Sequence, residues 1–111
     1  MLIMSSEFLI SLLLLLISVV YYYLQPKKIN RFYGYRSSKS MKNLTNWQYS
    51  NKLAAVMLFR ISVFNSVVFL IISLVYGDLN KNIFGIFLFI QFIAMFIYVE
   101  KKTAENEKKQ L

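Results

Sequence analysis

The residues able to do chemistry gather in one stretch, Pro26 to Asn51, which reads PKKINRFYGYRSSKSMKNLTNWQYSN. With Lys52 at its edge it carries seven cations, Lys27, Lys28, Arg31, Arg36, Lys39, Lys42 and Lys52, and no carboxylate. Aromatic and cationic side chains alternate about Gly34 in Phe32-Tyr33-Gly34-Tyr35-Arg36-Ser37. A glycine there can take a positive φ and turn the chain. The guanidinium of Arg36 can grip a carboxylate or phosphate through two parallel hydrogen bonds. Two readings of this stretch stay open. In one, aromatics float at a membrane interface while cations meet lipid phosphates; in the other, the same residues form a recognition surface for a partner.

Outside the stretch, polar chemistry is sparse. Arg60, Asn65 and Gln91 interrupt apolar runs, and no carboxylate accompanies them there. Arg60 either snorkels to the interface or faces a bundle or ligand together with Asn65. Gln91 has the chemistry to bond a neighbouring helix, as does Asn65, and Gly85 the size to allow close helix approach. The chain has no cysteine and no histidine, which removes disulfides, thiolate nucleophiles and imidazole acid–base catalysis. No phosphate-cradling glycine loop or nucleophile elbow is present. We expect no enzyme, no cofactor and no metal site.

The elements that must position these residues are hydrocarbon-length helices. With 58% hydrophobic residues and a mean hydropathy of +0.51, the 111-residue chain exceeds the apolar content of soluble domains. The bilayer is the expected solvent. The expected fold is all-α, a single membrane domain over 1–111, with spans at 5–24, 54–76 and 83–99, a basic loop at 25–52 and a charged tail at 100–111. Phe8 to Leu24 is uncharged, and Tyr21, Tyr22 and Tyr23 at its exit suggest an interfacial belt. Pro26 stops that helix. Thr45 and Gln48 have capping-box spacing, with Leu44 and Tyr49 at staple positions, so the second helix is expected to begin at Thr45. Trp47 would then sit half wet at headgroup level. In the tail, Glu105 and Lys109 are spaced for a helical ion pair.

Three spans put the loop and tail on one side. That side holds the seven cations plus Lys101, Lys102, Lys108 and Lys109, and the other side holds Lys81. The positive-inside rule makes the loop and C-terminus cytoplasmic and the N-terminus external. The net charge of +8 thus reports topology and anionic lipid rather than direct nucleic-acid binding. On the cytoplasmic side, the glycosylation pattern at Asn43-Leu44-Thr45 is fortuitous.

At the loop, the run P-K-K-I-N-x-x-Y-G-Y-R-S-x-x-S-M-K-N, followed by T-x-W-x-x-S-N-K, resembles the signature of the SdpI (SdpI/YfhL) family of membrane proteins. Asn30, Tyr33, Gly34, Tyr35, Arg36, Ser37, Ser40, Trp47 and Asn51 fall on its pattern, Ser37 standing where threonine is more usual. The family's named member has six spans, with additional helices ahead of this module. The resemblance implies a multi-pass protein of the bacterial cytoplasmic membrane that gives immunity against a membrane-active peptide toxin. It also implies a signalling role, in which a cytosolic repressor is held at the membrane. Arg36, Lys39 and Lys42 are then the candidates for the cytosolic contact, and Arg60 with Asn65 for the contact inside the membrane. A homo-oligomer would supply six spans from two copies. The alternative is a structural or accessory membrane protein with no toxin-related role; a transporter would need a polar intramembrane path that three isolated polar residues do not make.

Overall fold

A computed structural model of the chain describes residues 4–110. Met1–Ile3 and Leu111 lie outside the described residues, and with them the extreme ends of the expected 1–111 domain and 100–111 tail. Three helices follow in order, α1 (Ser6–Tyr23), α2 (Leu44–Val75) and α3 (Lys81–Lys109), each long and apolar enough to cross a membrane. No strand occurs among the described residues.

Local chemistry sets the boundaries. Ser5 caps α1 by accepting from the amide of Phe8 at 3.2 Å, and Glu7 in the first turn suits the positive end of the helix dipole. The cap of α2 is Asn43, whose side chain accepts from the amide of Asn46 at 2.8 Å; Thr45, expected to cap, lies inside the helix. Asparagine is at least as good a cap as threonine. Leu44 and Thr45 are exposed, so the expected box and staple do not form. Gly77, at φ +85, ends α2 in the left-handed region that suits glycine after a helix. Asn80 caps α3, accepting from the amide of Asn82 at 2.8 Å. The charged tail is the continuation of α3, because the segment from Glu100 to Lys109 contains no glycine or proline.

α2 is the central helix, packing on α1 along one side and on α3 along another. Small residues allow the α1–α2 approach: Ser11 and Ser18 are fully buried, as are Ala55 and Ser62. Ser5 N–H donates to Ser73 Oγ at 3.0 Å, fixing the register of the antiparallel pair. Between α2 and α3, Phe69 packs edge-on against Phe84 and Phe87 near the Gly77 turn. Further along, Asn65 and Gln91 exchange two amide hydrogen bonds of 2.8 and 2.9 Å. Gly85 is exposed with open space around it, so it does not serve the expected close approach. The molecule extends 57 Å along its long axis against a hydrocarbon core of roughly 30 Å, so the helices project beyond the bilayer. The projecting ends of α2 and α3 carry the loop.

Candidate functional site

The loop between α1 and α2 is folded back onto all three helices, and Asn51 is its pivot. Asn51 Oδ1 accepts from Tyr21 OH at 2.6 Å and from the backbone N–H of Tyr35 at 2.7 Å. Its amide donates to the carbonyl of Tyr35 at 3.2 Å and to that of Trp47 at 2.9 Å. Both donors and both lone pairs of one buried amide are thereby used. The backbone of Tyr35 is gripped at N–H and C=O together. Such an approach needs a bare neighbour: Gly34 lies at φ +104, and a Cβ there would stand 2.5 Å from Asn51 Oδ1 and 2.6 Å from Pro26 Cγ.

The remaining motif residues continue the clamp. Asn30 Oδ1 accepts from the amides of Phe32 and Tyr33, making a local turn. Tyr33 OH donates to the carbonyl of Leu24 at 2.9 Å. Ser37 and Ser40 cap one another, each hydroxyl accepting from the other's amide at 3.1 and 2.8 Å. Trp47 is fully buried, and its indole N–H donates to the carbonyl of Pro26 at 2.7 Å. The expected half-wet position at headgroup level is therefore corrected: the chain at Pro26 folds back over the start of α2, and the indole lies under it rather than toward lipid.

Two acidic residues on α3 complete the arrangement. Tyr35 OH donates to Glu100 Oε1 at 2.6 Å, and its ring lies against Phe96. Burial pushes the Tyr35 phenol above its ordinary range, and the Glu100 carboxylate pushes it the same way. Two turns further on, Glu107 takes a bond from the Lys42 ammonium at 2.5 Å and from the Asn46 amide at 2.6 Å. The hydrogen bond from Lys42, then that from Asn46, hold the Glu107 carboxyl below the usual carboxylate range. The expected Glu105–Lys109 pair is replaced by Lys102–Glu105 at 3.6 Å.

The structure separates the other candidates. Arg36 is exposed and Lys39 half-buried, and among the described residues neither is in an ion pair. Lys42 is already engaged by Glu107. Arg60 faces outward, lining a hollow with Phe59 and Tyr22, whereas Asn65 is buried against Gln91; the two do not share a site. Sequence reasoning missed Tyr21, Asn46, Glu100 and Glu107 as parts of the loop assembly. The seven-residue spacing of Glu100 and Glu107 on one helical face was a usable signal for the last two. Tyr21, expected with Tyr22 and Tyr23 in an interfacial belt, instead points at Asn51.

Beneath the loop, a cavity of about 550 Å³ opens between α1 and α3, which flank α2. Leu16, Val20, Ala54, Leu58 and Met95 line it, and Tyr33, Gly34 and Tyr35 close its loop end. Among the described residues no cluster of acidic side chains is placed to hold a metal ion. The arrangement is suited to holding and presenting a surface. A family model described as the SdpI/YfhL protein family matches residues 27–99, well over half of the chain and including the whole clamp from Asn30 to Asn51. No curated protein and no solved structure matches the chain.

Proposed function

Because the chain belongs to the SdpI/YfhL protein family, we propose that it is an immunity-type binding protein of the bacterial cytoplasmic membrane. In this reading it engages a membrane-active peptide toxin and presents its basic loop to a cytosolic repressor. The observation that carries the reading is the fixed loop: the Tyr35 amide is held by Tyr21 and Asn51 of α1 and α2 and the Tyr35 hydroxyl by Glu100 of α3, while Arg36 stays exposed. Ordering such a surface in advance lowers the entropy lost on docking. Arg36 and Lys39 are the docking cations; Lys42 acts as the tie to α3 through Glu107. An apolar peptide arriving through the bilayer meets the cavity between α1 and α3, whose closing residues Gly34 and Tyr35 belong to the same clamp. Arg60 alone, on the far side of the α1–α2 seam, and not Asn65, is available for a contact from lipid.

The test is a strain lacking this chain, challenged with a membrane-active apolar peptide toxin. The strain is expected to be sensitised and to be rescued by the intact chain. Equal resistance with and without the chain overturns the proposal. The paired substitutions Arg36→Glu and Lys39→Glu are expected to abolish repressor capture at unchanged abundance, and raised salt to weaken capture by the intact chain. A purely structural role would leave capture-dependent responses unmoved by that charge reversal.

A further inference from the structure

On the other side of the α1–α2 seam from that cavity, two hollows share Tyr22 and Tyr23 as a common wall. The deeper one, about 440 Å³, is floored by Val19, Val56 and Phe59, with Arg60 at its edge. The other, about 410 Å³, opens at the loop end between Lys27 and Lys52. Lys52 and Arg60 are eight residues apart on one helix, which separates them by about 12 Å along the axis. Joined through Tyr22 and Tyr23, the two hollows form one trough with Lys27 and Lys52 at its mouth, an apolar floor, and Arg60 about one turn beyond Val56 at its deeper end.

The trough's cations are uncommitted. Lys27, Lys52 and Arg60 are exposed, and among the described residues none is in an ion pair. No carboxylate lines either hollow. Gln48 at the mouth reaches only the carbonyl of Lys27, at 3.5 Å, leaving its amide available as a further donor. A cation on the lipid-facing side of a span is costly unless it meets an anion or snorkels to the interface, and arginine pairs with phosphate through a two-pronged fork.

We propose that this trough is a binding site for one anionic phospholipid. Its phosphate lies between Lys27 and Lys52 with the Arg60 guanidinium reaching up from below, and an acyl chain follows Val19, Val56 and Phe59. The cationic mouth and the apolar side chains below it match a lipid's headgroup and chain, with the long Arg60 side chain snorkelling toward the headgroup, and basic hollows between membrane helices are suited to anionic headgroups. An acidic peptide would satisfy the mouth and leave the floor empty. Arg60 is the one residue the site shares with the toxin reading; Lys27, Lys52, Tyr22 and Tyr23 have no part in it.

The full chain in detergent micelles, given phosphatidylglycerol or phosphatidylcholine and analysed by native mass spectrometry, tests it. Phosphatidylglycerol is expected to be retained about tenfold better than phosphatidylcholine. Lys52→Gln with Arg60→Gln is expected to remove most of that preference. Arg31→Gln with Arg36→Gln, an equal loss of charge outside the trough, is expected to preserve it. Val56→Trp, which fills the floor and keeps every charge, is expected to lower retention as well. Unchanged helical circular dichroism accompanies each supporting result. Equal retention of the two lipids, equal loss in both double variants, or displacement of the lipid by inorganic phosphate overturns the proposal. Retention confined to a dimeric species overturns it in favour of an interface between copies.

Discussion

At the scale of single residues, the three glycines separate two effects that are usually confounded. Gly34 combines a positive φ with the near approach of Asn51 and Pro26; Gly77 has a positive φ of +85 and open space; Gly85 sits in helix with open space. Replacing each with alanine should therefore give a graded series. Gly85→Ala is expected to be neutral or to stabilise by up to about 1 kcal/mol through helix propensity. Gly77→Ala should cost about 1 to 2 kcal/mol for the left-handed backbone alone. Gly34→Ala should cost about 3 kcal/mol or more, since the backbone term is joined by displacement of a buried amide. Thermal midpoints in micelles rank the three, and a Gly34→Ala cost no larger than that of Gly77→Ala would mean the clamp yields without resistance. Asn51→Leu tests the same clamp from the other side. It leaves the carbonyls of Tyr35 and Trp47 without their amide donor and is expected to cost about 3 kcal/mol, with the loop loosened and the helices retained.

At the scale of elements, the loop is tied to α3 by the Lys42–Glu107–Asn46 group, and its response to pH follows from the depressed Glu107 carboxyl. A carboxyl lowered in the folded state adds stability above its unfolded value and loses it as pH falls through the folded one. The tie should thus be intact at neutral pH and release below the ordinary carboxylate range. The chain has no cysteines, so spin labels on cysteines introduced at Ser38 and Gln110 report the loop-to-α3 distance cleanly. The distance distribution is expected to broaden in acid, and Glu107→Gln to broaden it already at neutral pH; a distribution indifferent to both removes the tie from the account. The elements differ in how far the sequence announces them. Three apolar runs of helical length identify α1, α2 and α3 because hydropathy averages over many residues. Partners across elements are not written in any window. Arg60 and Asn65 are near in the chain yet diverge around α2, while Asn65 finds Gln91 on another helix. Trp47 looked interfacial because a tryptophan before a span usually is; its burial depends on a fold-back of Pro26 that no periodicity encodes. The loop motif was legible as a pattern of residue types, and its hydrogen bonds were not.

At the scale of the whole molecule, the same charges that line the loop end decide which way the helices cross. The loop and the tail lie at one end of three spans and the Gly77–Asn82 turn at the other, so any one orientation fixes all of them. The loop end holds the loop cations together with Lys101, Lys102, Lys108 and Lys109, against Lys81 at the turn. Two of these are committed to ion pairs, Lys42 to Glu107 and Lys102 to Glu105, yet insertion is decided before those pairs exist, so all of them count toward topology. The loop end is therefore expected to face the cytoplasm. Reporters that are active only outside the cytoplasm should be silent when fused at Ser38 or after Gln110 and active at Asp78. Neutralising Lys27, Lys28, Arg31 and Arg36 while adding lysines to the turn should produce a mixed or inverted population. Reporters active at Ser38 in the unaltered chain would place the basic surface outside. The repressor proposal would then fail, while the clamp, whose bonds are all internal, would stand.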